Sequence, residues 1–111
     1  MDKLNYYREK VKALLAKYAL HKPSYGNIDV EQIFDIERDH YQIISIGWNN
    51  QERIYSPIMH LDIKNEKIYI QENTTEVDIA NELIEVGVPK SDIVIGFHTP
   101  KMRRLAGFAV E

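Results

Sequence analysis

Four histidines, His21, His40, His60 and His98, are the side chains of this 111-residue chain best suited to ligate a metal or to move a proton. None is spaced as HExxH or as an HxH strand pair, so only tertiary folding can bring two of them together, and no metal site is expected. His60 stands two residues from both Ile58 and Asp62, on one face of any strand that holds them, and reads as a hydrogen-bonded structural histidine. Asp62-Ile63-Lys64 matches the acid-x-Lys half of a metal-dependent nuclease signature, in which the acid holds Mg²⁺ and the lysine faces the scissile phosphate. With 17 acids in the chain, composition alone supplies about one such triplet, so the match carries little weight.

Other chemistries lack their parts. There is no cysteine, which removes thiolate nucleophiles, iron–sulfur clusters and zinc ribbons. The five glycines form neither a GxGxxG turn nor a Walker loop, and no GxSxG elbow occurs. Seven tyrosines read as packing residues of strands and a helix. The sequence therefore predicts no catalytic residue and no cofactor.

Charge is uneven. Net charge is −3, but residues 1 to 25 carry six Lys/Arg against two Asp/Glu, residues 26 to 100 five against fourteen, and residues 101 to 111 three against one. Basic ends flank an acidic middle, a balance that argues against a protein that grips duplex DNA unaided. No apolar run is long enough to span a bilayer, and no signal-like segment opens the chain, so the cytoplasm is the expected location.

The elements that must position these residues follow from periodicity. Leu4, Tyr7, Val11, Leu14, Leu15 and Tyr18 alternate in steps of three and four, predicting a helix that begins near Asp2. Its other face, with Lys3, Arg8, Lys10, Lys12 and Lys17, reads as a solvated surface, with phosphate contact through Lys3, Arg8, Lys10 and Lys12 as the functional alternative. HKPSYGN, residues 21 to 27, ends that helix. Four strand-like runs then follow, VEQIFDIE, YQIISIGW, RIYSPIMHLDI and KIYIQ, with separators too short for parallel crossovers. They predict a four-stranded antiparallel meander in which Pro57 marks an edge position or a bulge. Thr75 is placed to cap a second helix with Asp78 at its third position; Val77, Ala80, Leu83 and Ile84 form its buried face, and Gly87 and Pro89 close it. A last strand spans Ile93 to Phe97, and the GFAV tail docks on the sheet. The whole chain, 1 to 111, reads as one α+β domain.

Trp48 reads first as a core plug and second as a contact anchor. Between Gly96 and Pro100 a rigid turn carries Phe97 and His98 off the last strand, and Lys101, Arg103 and Arg104 follow on a short polar segment. Phe97, His98, Arg103 and Arg104, with Trp48, have the composition of a protein–protein interface.

Three stretches carry a resemblance to a known family: HLDIKNEKI from His60, GVPKSDIVIGFH from Gly87 and GFAV from Gly107. Together they resemble the XisI family, the fdxN element excision controlling factors of cyanobacteria, over nearly the whole chain. Tyr69 stands where tryptophan is common in the family, and Thr99 where a second proline is frequent. The resemblance implies an α+β accessory factor, without established catalytic residues, that assists excision of a DNA element beside a site-specific recombinase and a nuclease-related partner of the XisH type. Such pairs have been suggested to act as toxin and antitoxin. A non-enzymatic regulator forming a small homo-oligomer, preferably a dimer, is the expectation, and a DNA-binding accessory factor is the alternative.

Overall fold

The computed structural model describes residues 2–111. Helix α1 runs Lys3–Ala19, and the Asp2 carboxylate caps it by accepting the Leu4 amide at 3.0 Å. Strands β1 (Asn27–Asp35), β2 (His40–Asn49), β3 (Glu52–Lys64) and β4 (Lys67–Asn73) form the expected antiparallel meander. Helix α2 (Ile79–Glu85) then carries the chain over to β5 (Ile93–Ile95), which pairs parallel to β4, and the sheet order is β1-β2-β3-β4-β5. The tail joins β5 by a single bridge, Val94 to Ala109, with the Ala109 amide donating to Ile93 O at 2.9 Å.

One sheet face carries the core. Tyr41, Ile43, Met59, Leu61, Ile68, Ile70, Ile93 and Ile95 alternate toward α1 and α2, which contribute Tyr7, Val11, Leu15, Ile79 and Leu83. The opposite face of β1, β2 and β3 has no helix over it, and on it Ile33, Trp48 and Tyr55 stay exposed.

Local chemistry explains the turns. Asn65 and Glu66 both take positive φ (55° and 60°), which allows a two-residue connection whose twist matches the flanking β3 and β4. At Gly47 a Cβ would lie 2.1 Å from Asn27 O, so only glycine lets the start of β1 come that close. Pro57 sits at a bulge, one of its two anticipated places: Ile44 pairs with Pro57 and Ile43 with Met59, leaving Ile58 as the extra residue.

Three local expectations are corrected. Asp78, not Thr75, caps α2, accepting the Asn81 amide at 3.1 Å. The Thr75 hydroxyl is engaged earlier, donating to Asn73 Oδ1 and accepting the Val77 amide, so the chain completes a separate turn before the helix begins. Ile84 is exposed and Ile79 takes its place in the core, because a helix starting three residues later turns a different side inward. Finally, the segment read as short and polar is a third helix, α3 (Pro100–Ala106), with Thr99 as its cap, proline in its first turn and Gly107 at φ 80° after it.

Candidate functional site

The basic face of α1 is answered from inside the molecule. Arg8 clamps Asp39 with two bonds, Nε at 2.8 Å and Nη2 at 3.0 Å, while the Tyr41 hydroxyl donates to the same carboxylate at 2.8 Å. The hydrogen bond from Arg8 outweighs burial and holds the Asp39 carboxyl below its usual range. Lys3 pairs with the nearly buried Asp92 at 2.9 Å, and the Tyr7 hydroxyl donates to that carboxylate as well. Burial pulls Asp92 upward, but the bonds from Tyr7 and Lys3 more than offset it and leave the group lowered. Lys17 and Tyr18 treat Glu82 of α2 in the same way. Lys12 pairs with Glu9 at 3.0 Å and Lys10 sits 5.1 Å from the centre of the Tyr6 ring. Of Lys3, Arg8, Lys10 and Lys12, the residues placed for phosphate contact, three thus already face carboxylates. The face reads as the solvated, internally paired surface of a packed helix.

The C-terminal candidates divide. The Arg103 guanidinium is engaged within the chain. Its Nε donates to Ile95 O (3.2 Å) and His98 O (3.0 Å), Nη1 to Val110 O (2.9 Å) and Nη2 to Gly96 O (3.1 Å), stapling β5, the following turn and the tail together. Arginine suits this role because its planar fork spreads donors over several carbonyls. Arg103 thus has a structural role in this chain: the turn after β5 leaves its carbonyls without strand partners, and this side chain satisfies them. Arg104 is exposed and enters no ion pair among the described residues. Phe97 is 54% exposed, and His98 is half-buried, its ring edge-on to Phe97 with centroids 5.0 Å apart. Two exposed apolar residues went unnoticed in the sequence, Met102 at 47% and Leu105 at 73%. Three apart on α3, they share a side of it. Reading Thr99, Pro100 and Gly107 as helix start, first turn and stop would have found them.

Trp48 is half exposed, stacked against the Arg53 guanidinium at 5.3 Å, and is not the core plug first expected. Nor does it join the C-terminal group. It pairs with Arg53 near the far end of β3, about 20 Å along the strand from the level of His60 at ~3.3 Å per residue. The turn after β5 lies on the other side of the sheet order. The five interface candidates therefore occupy two separate patches.

A convergence absent from linear spacing lies on the open sheet face. Asp62 Oδ1 is 2.9 Å from His40 Nδ1 and 2.8 Å from His60 Nε2, and Gln71 Nε2 donates to Oδ2 at 3.0 Å. Burial raises the Asp62 pKa, but the bonds from His40, His60 and Gln71 prevail and leave it lowered. His60 is the hydrogen-bonded histidine anticipated. His21 and His98 lie outside this cluster. Lys64, the nuclease-like lysine, is directed to the Tyr69 ring at 5.0 Å.

A mixed five-stranded sheet with α1 and α2 on one face, closed by a stapled C-terminal helix, defines a small α+β domain. The model of the XisI family, described as XisI protein, matches residues 1–110, and the chain belongs to that family. The chain is similar to a XisI-like protein from Anabaena variabilis ATCC 29413, solved by crystallography, with 42% identity, TM-score 0.92, and coverage of 97% of this chain and 99% of that one. It is also similar to the fdxN element excision controlling factor XisI from the same organism, with 35% identity, TM-score 0.87, and coverage of 99% and 100%. No curated protein sequence matches it.

Proposed function

We propose that this protein is a non-enzymatic regulator of DNA-element excision that acts by binding a nuclease-related protein of the XisH type, restraining or positioning it. Family membership supports a regulatory role in excision, since a similar solved structure is an excision controlling factor. The observation that carries the contact reading is α3. None of its residues is buried, yet it is tied down by the Arg103 staple and shows Met102 and Leu105 to solvent, with exposed Phe97 in the turn that leads into it. A pre-ordered apolar patch loses little conformational entropy on binding, and its neighbours Lys101 and Arg104 supply a cationic rim suited to an acidic border on the partner.

The test is co-purification of the tagged chain with its XisH-type partner, followed by titration of Leu105→Asp and Phe97→Ala variants. Each variant should keep its fold by circular dichroism and weaken binding by about ten-fold or more, the loss typical of a central anchor. Unchanged affinity in both would remove α3 from the interface.

A further inference from the structure

We propose that His40, His60 and Asp62 form a binding site for one divalent transition cation of the Zn²⁺ class, held by His40 Nδ1, His60 Nε2 and Asp62 Oδ1 with water completing the coordination. The proposal is independent of what α3 contacts.

The three ligand atoms lie within 4.8 Å of one another. In a tetrahedral Zn²⁺ site with bonds of about 2.0–2.1 Å, neighbouring ligand atoms stand roughly 3.3 Å apart. The two separations from Asp62, 2.9 and 2.8 Å, need to open by about half an ångström, and the two imidazole nitrogens, within 4.8 Å of each other, stand close enough for side-chain rotation to bring all three onto one ion. Two imidazoles and one carboxylate favour Zn²⁺ and its later first-row neighbours over Mg²⁺, which prefers an all-oxygen octahedron. The second layer of contacts is already in place. Gln71 holds Oδ2, fixing the carboxylate plane and leaving Oδ1 for the ion.

The site sits on the paired middle of the sheet, beside a register shift in the β3–β4 ladder that leaves Gln71 as the extra residue. Asp62 and His60 lie on β3 where it is paired on both sides, to β2 and to β4, and alternation puts them on one face. His40 is the direct cross-strand neighbour of Asp62 only because of the bulge at Ile58. Between Asn49 and Ile44 the β2–β3 register would set His40 opposite Leu61, and the one extra residue brings Asp62 there instead. His40 remains 56% exposed at its side chain, His60 32% and Asp62 16%, so an ion can enter from solvent and keep a water.

Calorimetric titration of the EDTA-treated full chain with ZnCl₂ at neutral pH should give one equivalent bound, and MgCl₂ should give none. His40→Gln and His60→Gln should each lower Zn²⁺ affinity by about ten-fold or more, while His21→Gln leaves it unchanged. The wild-type protein offers a readout that needs no variant: imidazole NMR signals of His40 and His60 should move with the first equivalent, ahead of those of His21 and His98. Less than one equivalent bound, Mg²⁺ binding in place of Zn²⁺, affinity unaltered in both His40 and His60 variants, or first movement at His21 or His98 would each overturn the proposal and leave a hydrogen-bond network only.

Discussion

Helices α1 and α3 sit at opposite ends of the same chain and are held by opposite means. In α1 a stripe of Tyr7, Val11, Leu14 and Leu15 is buried, and the cations around it close onto Asp39, Glu82 and Asp92 of other elements. In α3 no residue is buried, and one arginine anchors the helix through backbone carbonyls. Where a helix has spent both its apolar and its charged groups inside the fold, its surface has little left for a partner. Where a single side chain ties the helix to backbone carbonyls, the other side chains remain available. A basic face in sequence is thus a poor guide to binding here, and an unburied apolar pair is a better one.

The comparison breaks most visibly if leucines in the two helices cost the same. Leu15 is fully buried and Leu105 is 73% exposed. Urea unfolding should show Leu15→Ala losing about 2–5 kcal/mol and Leu105→Ala remaining within about 0.5 kcal/mol of the parent. Similar losses at both would mean that α3 is part of the core.

A smaller and more local effect is expected at the staple. Arg103→Lys keeps the charge but loses the fork that serves several carbonyls, so the tail should loosen without global unfolding. Hydrogen exchange is the measurement: the Ala109 amide should lose protection while amides of β2 and β3 keep theirs. Retained protection at Ala109 would show that the tail's bridge to β5 stands without the arginine.

The acid anchors of α1 predict the mildest change. Asp39, Asp92 and Glu82 all titrate below their ordinary values of 3.8, 3.8 and 4.5 in the folded chain. Carboxyls lowered by folding contribute stability that is complete above those ordinary values and is lost as pH falls through the folded ones. Thermal unfolding should therefore be flat near neutrality and fall steadily below about pH 4.5. An Asp39→Asn variant should be less stable at neutral pH, with a shallower acid slope. A slope identical to the parent's would detach the Arg8–Asp39 pair from the fold's acid sensitivity.

Much of this architecture was legible in the residues. The three-and-four stripe of α1 and the short separators of the meander left little freedom, and Pro57 narrowed its place to an edge or a bulge. What escaped had physical causes. Helix α3 has no apolar stripe turned inward, so periodicity could not reveal it, although Thr99, Pro100 and Gly107 marked its ends. Thr75 competed with Asp78 as a cap because either can bind a free amide, and only Asn73 decided which was occupied. Trp48 looked like core by residue type, but its place near the end of β2, on the face without helices, keeps it half in solvent. The meeting of His40 with Asp62 depends on strand register, which one inserted residue resets, and no local spacing rule encodes it.

The hydroxyl of Tyr7 reaches Asp92 across 85 positions of chain. During synthesis the first helix is made long before the carboxylate that anchors it, and a loop that large closes at an entropic cost. The meander can zip locally as it emerges, but the amino-terminal helix gains this contact only once Asp92 has been made. Asp92 is thus the latest made of the three acids that anchor α1, and a truncation that removed it would leave Arg8–Asp39 and Lys17–Glu82 to hold the helix without Tyr7's partner.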